Sequence, residues 1–127
     1  MAARSQVGRV RFRRITVGTT GSVITPYPEP RKHETFPTGY VQVSNEGAQI
    51  VRLYALKSDF DADAALGATD GFIRLAATTG FFGGPVALND EGVDPTGVVR
   101  PQPVLWARAE AGTTLVVCAF YLREDGM

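Results

Sequence analysis

Chemistry-bearing side chains are scarce in this chain of 127 residues, which has one histidine, one cysteine and one tryptophan. A lone cysteine excludes an intrachain disulfide. Cys118 also lies inside the apolar run "LVVCAFYL", where it reads as a small buried hydrophobe rather than a nucleophile. The lone histidine, His33, sits in a proline-rich stretch with no serine or cysteine pattern around it, so a nucleophile–base pair is not expected. Two such residues cannot make a structural zinc site within one chain. There is no run of eighteen apolar residues, so no transmembrane helix is expected. The N-terminus has no apolar core of the kind a secretory signal needs, and cytoplasmic synthesis is expected. These shortages argue against an enzyme and against a resident cofactor or metal. The length suits one domain, large enough to bury an ordinary core.

The chain also lacks net charge, yet its charges are unevenly distributed. Residues 1–34 hold seven basic residues against two acidic ones, and residues 35–127 hold six against eleven. Four arginines, Arg9, Arg11, Arg13 and Arg14, fall within "RVRFRRITV". Alternation there sets Val10 and Phe12 on one face and Arg9, Arg11 and Arg13 on the other. The period slips at Arg13-Arg14 before Ile15 and Val17, which predicts a strand with a β-bulge and Phe12 on the core side. Beyond it, Pro26, Pro28, Pro30 and Pro37 forbid helix and favour extended backbone. Pro26, Tyr27, Pro28, Pro30, Arg31 and Lys32 therefore join the four arginines as candidate residues for gripping a partner surface. Residues 1–39 read as a basic, proline-rich, extended arm with one strand, and residues 40–127 as the body. Deleting residues 1–39 should on this reading leave a folded body that no longer docks.

The body reads as short strands separated by turn residues. "YVQVS" and "AQIVRLYAL" flank "NEG" and predict a hairpin, and "VLWARAE" and "TLVVCAFYLR" around "AGT" predict another. "FIRLA" and "GPVALND" read as strands on either side of "TTGFFGG". No helical periodicity exceeds about ten residues. The expected fold is all-β: a single antiparallel β-sandwich, with the jelly roll as one arrangement open to it. The last strand is apolar on both faces, which calls for a second packing partner. Leu115, Val117 and Tyr121, on one of those faces, are candidate subunit-interface residues.

Other motifs are weaker. Asp59, Asp61, Asp63 and Asp70 imitate a calcium loop, but Ala64 stands where such a loop needs glycine and no helices flank it. Trp106, Tyr54 and the Phe81-Phe82 pair are the aromatics a sugar site would use, although Trp106 alternates as a core residue. Nucleic-acid binding through the arginines would want interleaved stacking aromatics and no acidic body, so an acidic protein surface is the expected partner and nucleic acid is not. No membrane partner is expected.

The segments "YVQVSNEGAQIVRLYAL" and "GPVALNDEGV…VLWARAEAGTTLVVCAFYLRE" resemble small β-sandwich structural proteins of tailed bacteriophages, over about residues 40–123. Among these the chain is most similar to capsid decoration (cement) proteins. The resemblance implies a non-enzymatic virion protein on the outer capsid surface that stabilises the shell. Its implied partners are the major capsid protein and itself, as a homotrimer. A neck, tail or fibre module is the alternative within the virion, and a carbohydrate-binding sandwich the alternative outside it.

Overall fold

The structure is a computed structural model and describes residues 8–26, 39–86, 88–89 and 102–123. The described elements are β1 (Gly8–Gly18), β2 (Ser22–Ile24), β3 (Gly39–Asn45), β4 (Val51–Tyr54), α1 (Lys57–Ala62), β5 (Ile73–Leu75), β6 (Phe81–Val86), β7 (Leu88–Asn89), β8 (Gln102–Pro103), β9 (Leu105–Ala109) and β10 (Thr113–Arg123). Two four-stranded sheets, ordered β1-β10-β3-β6 and β2-β9-β4-β5, carry the fold, and β7 pairs with β8 alone. Every pairing is antiparallel. Counting only the eight strands of the two large sheets, the orders become 1-8-3-6 and 2-7-4-5. That is the double Greek-key order of a jelly roll.

This topology overturns both predicted hairpins. β3 lies in the first sheet and β4 in the second, and β9 and β10 are divided in the same way. "NEG" and "AGT" do reverse the chain, but they carry it across the sandwich instead of back along the same sheet. The reason is visible at Asn45, which is fully buried. Its Nδ2 donates to the carbonyl of Gln49 at 2.7 Å and lies 3.2 and 3.1 Å from those of Leu75 and Ala76. Its Oδ1 accepts from the Gly47 N–H and from Thr114 Oγ1. A side chain that bonds the backbone of its own turn, the backbone of residues 75–76 and the Thr114 hydroxyl fixes a corner where the sheets meet. Gly47 completes it, because a Cβ there would stand 2.0 Å from Thr114 Oγ1 and 2.6 Å from the Leu115 nitrogen. Gly47→Ala is expected to lower stability by about 1–3 kcal/mol by overpacking. Urea denaturation checks this as a lowered midpoint at unchanged slope.

The core lies between the sheets. Ile15, Val17, Val41, Val43, Val116, Cys118 and Phe120 face it from the first sheet, and Ile24, Val51, Leu53, Leu105, Ala107 and Ala109 from the second. Period-two alternation delivers these residues, each strand giving every other side chain to the interior. Burial pushes the Cys118 thiol up to about 12, with the nearby Arg13 opposing, which keeps it un-ionised at neutral pH.

Residues 8–26 were expected to be arm with one strand. They instead supply β1 and β2, one to each sheet. The predicted bulge is absent, since β1 pairs with β10 in unbroken register from Gly8↔Arg123 to Gly18↔Thr113. Without a bulge the alternation never slips. Arg11, Arg13, Ile15 and Val17 share the inner face, and Val10, Phe12, Arg14 and Thr16 the outer one. Phe12, expected on the core side, is 70% exposed. Two consecutive arginines suggested a break in period, but only Arg14 is on the solvent side.

Candidate functional site

Arg11 and Arg13 lie where the interior ends, and long guanidinium stems suit that place because they cover apolar surface and still reach polar atoms. Arg11 Nε donates to the Pro26 carbonyl at 2.5 Å, and Arg13 Nη1 to the Thr25 carbonyl at 2.7 Å. They tie the end of β2 to β1. Burial, and then the neighbouring Arg11 charge, pull the Arg13 guanidinium below its usual pKa. Two of the four candidate arginines therefore hold their own chain. Pro26 is buried and serves as acceptor. Arg9 lies in β1, and its side chain is outside the described residues, as are Tyr27, Pro28, Pro30, Arg31, Lys32 and His33.

The outer faces of the two sheets differ. On the second sheet, Arg74, Arg52 and Arg108 stand side by side across β5, β4 and β9. Three adjacent like charges would repel, and acids and carbonyls offset them. Glu110 accepts from Arg74 and Arg52 at 2.8 Å. Fully buried Asp63 accepts from Arg52 at 2.9 and 3.1 Å, from the Tyr54 hydroxyl at 2.5 Å and from the Ala68 N–H at 2.9 Å. Arg108 donates to the carbonyls of Phe60, Thr19 and Thr20 and stacks 4.2 Å from the Phe60 ring centroid. Tyr54, Val104 and Trp106 form a second small core with Phe60 and Phe72 packed on it. This face is therefore covered by α1 and the 57–72 connection.

That covering bears on two motif readings. The acidic run does not converge, since Asp63 turns inward to Arg52 while Asp61 pairs with Lys57 on the surface. Among the described residues no group of three or more histidines, cysteines, aspartates or glutamates could hold a metal ion. Of the aromatics a sugar site would use, Trp106 and Tyr54 are buried and Phe82 is half-buried against the core. Only Phe81 is exposed, at 59%. An apolar cleft of about 340 Å³ opens beside this pair, lined by Leu53, Tyr54, Leu56, Phe72, Ile73 and Phe82 with Asp59 as its one carboxylate. It offers burial but no nucleophile–base pair.

The first sheet's outer face carries a different surface. Reading across β1, β10, β3 and β6, one row is Val10, Tyr121, Tyr40 and Pro85. The next row is Phe12, Ala119, Gln42 and Gly83, and the third is Arg14, Val117, Ser44 and Phe81. Val10, Phe12, Tyr40, Phe81 and Tyr121 are all large, apolar and exposed. Tyr40 and Tyr121 meet edge to face with ring centroids 5.4 Å apart, and the Tyr121 hydroxyl contacts Gln42 at 3.3 Å. The doubly apolar last strand is thus explained on one side by the core. On the other side Leu115 and Val117 are half-buried and Tyr121 is exposed. Val10, Phe12 and Tyr40, absent from the interface candidates read from the sequence, and Phe81, read there as a sugar-site aromatic, join these candidates on one surface. Unbroken period two from Val10 to Thr16 was the signal that finds Phe12.

No protein-family model, curated protein or solved structure matches the chain. Among the described residues no helix is long and apolar enough to cross a membrane.

Proposed function

We propose that this chain is a non-enzymatic structural subunit of a bacteriophage virion, a capsid decoration (cement) protein that binds the outer shell and stabilises it. The observation that carries the proposal is the apolar outer face of the first sheet. A large exposed patch of this kind marks a surface that another protein covers. One face of the sandwich is sealed by its own connection and the other presents Phe12, Tyr40, Phe81 and Tyr121, an arrangement suited to assembly. The jelly roll is a fold that viral capsid proteins use, among many other proteins, so the fold is compatible with the role without specifying it. The resemblance over residues 40–123 supplies the particular setting. In this reading the major capsid protein is the partner beneath, and further copies of the chain are partners alongside.

Copy number tests the proposal. Purified particles of the phage encoding this chain are expected to carry it in hundreds of copies, measured by quantitative mass spectrometry against the major capsid protein. A dozen copies or fewer would replace decoration with a neck, tail or fibre role. No copies would overturn a virion role altogether.

A further inference from the structure

We propose that the outer face of the first sheet pairs with the same face of a second copy, around a twofold axis that runs parallel to the strands between β10 and β3. The inference rests on the reading of that face as a protein contact, and it names the partner and the register.

A strand-parallel twofold places β1 of one copy opposite β6 of the other and β10 opposite β3, and it keeps each row level with itself. The rows then complement each other. Phe12, at 70% the most exposed large apolar side chain among the described residues, stands opposite Gly83 of the second copy. Gly83 carries no side chain, and the Phe81 ring and the Tyr40 hydroxyl lean over it, 3.2 and 3.4 Å from where a Cβ would lie. Phe12 therefore meets aromatic edges with no side chain of Gly83 standing between, a geometry aromatic pairs favour. In the next row, Arg14 stands opposite Phe81, which is 59% exposed. The outer face presents no carboxylate from β1, β10, β3 or β6. A cation covered without a partner is unfavourable, and an aromatic face is the partner this register offers it. The alternative twofold, running across the strands through the Arg14 row, would set Arg14 against Arg14. Tyr121 meets Tyr40 in the remaining row, and Ala119 leaves room opposite Gln42.

The dimensions agree. Four strands about 4.8 Å apart and six to eleven residues long cover on the order of 500 Å² in projection. Side-chain relief raises the accessible area toward the ~800 Å² per partner of a standard interface. Sheets packed face to face keep their strands nearly aligned, as a strand-parallel axis requires.

The test is the solution mass of the full chain by light scattering, with sedimentation equilibrium for the dissociation constant. The expected result is a dimer at micromolar concentration. Phe12→Asp and Arg14→Glu each weaken it at least tenfold, with circular dichroism and melting temperature of the monomer unchanged because both side chains are exposed. Gly83→Leu adds bulk opposite Phe12, pushes the Phe81 ring aside and also weakens it. Gly83 has no positive φ and only the mobile ends of Phe81 and Tyr40 nearby, so this variant folds. Adding Phe12→Ala to Gly83→Leu restores pairing relative to Gly83→Leu alone, which only this register predicts. A trimer, a monomer at all concentrations, a dimer indifferent to Gly83→Leu, or purely additive effects of the two substitutions would each overturn the pairing. Because copy number on particles is read independently of mass in solution, the pairing can fail while the decoration role stands, and the reverse.

Discussion

A chain lacking residues 1–26 will not fold, and circular dichroism with thermal melting will show no cooperative transition. The deletion takes β1 and β2 together, one strand from each sheet. It removes Ile15, Val17 and Ile24 from the core, each worth about 1.5–3 kcal/mol when fully buried. It also breaks the ladder to β10 from Gly8 to Gly18 and opens the core beneath Val116, Cys118 and Phe120. Total stabilities of about 5–15 kcal/mol leave no margin for that loss. Residues 8–26 are therefore not a detachable docking arm, whatever they also contact. A truncated chain that keeps β-type dichroism and melts cooperatively would mean that β1 and β2 are not integral strands of the sandwich.

The fold class was legible because period two and turn residues recur along the body. Strand positions around Val41, Val51, Leu105 and Val116 follow from alternation alone. Pairing was not legible, since a turn such as 45–47 looks the same whether the chain returns along its own sheet or crosses to the other. What decides it is Asn45, whose partners at Leu75, Ala76 and Thr114 are distant in sequence. The arginine stretch misled for a related reason. Arginine on a core-facing register looks like a break in pattern, but at the end of a sandwich its stem packs and its head finds the carbonyls of Thr25 and Pro26. The covered face was also hidden, because Asp59, Asp61 and Asp63 spell a metal loop while Asp63 is in fact spoken for by Arg52 and Tyr54. The apolar last strand drew attention to its outer face, where Leu115 and Val117 are half-buried and Tyr121 is exposed, and the composition of that face across neighbouring strands needed coordinates.

Asp63→Ala is expected to lower stability by about 3–5 kcal/mol, the range for breaking a buried ion pair by removing one partner. The substitution leaves the buried Tyr54 hydroxyl without its acceptor and frees the Ala68 N–H. It also halves the compensation of Arg52, which retains only Glu110. The 57–72 connection then loses its anchor to β4, and with it the cover over Trp106 and Tyr54. Acid should act in the same direction. Burial alone would push the Asp63 carboxyl up, but the bonds from Tyr54, Arg52 and Ala68 outweigh it and hold the group below its ordinary value of 3.8. The hydrogen bond from Arg74 does the same for Glu110, with burial opposing and Arg52 assisting. A lowered folded pKa contributes stability that is present above the unfolded value and is lost as pH falls through the folded one. Wild-type stability should therefore hold from neutral pH down to the carboxylate range and decline below it. Urea midpoints measured from pH 7 to pH 2.5 check this, and Asp63→Asn should flatten the decline while starting from a lower midpoint. A variant as stable as the wild type, with the same acid slope, would show that the Asp63 cluster is not what seals the second sheet.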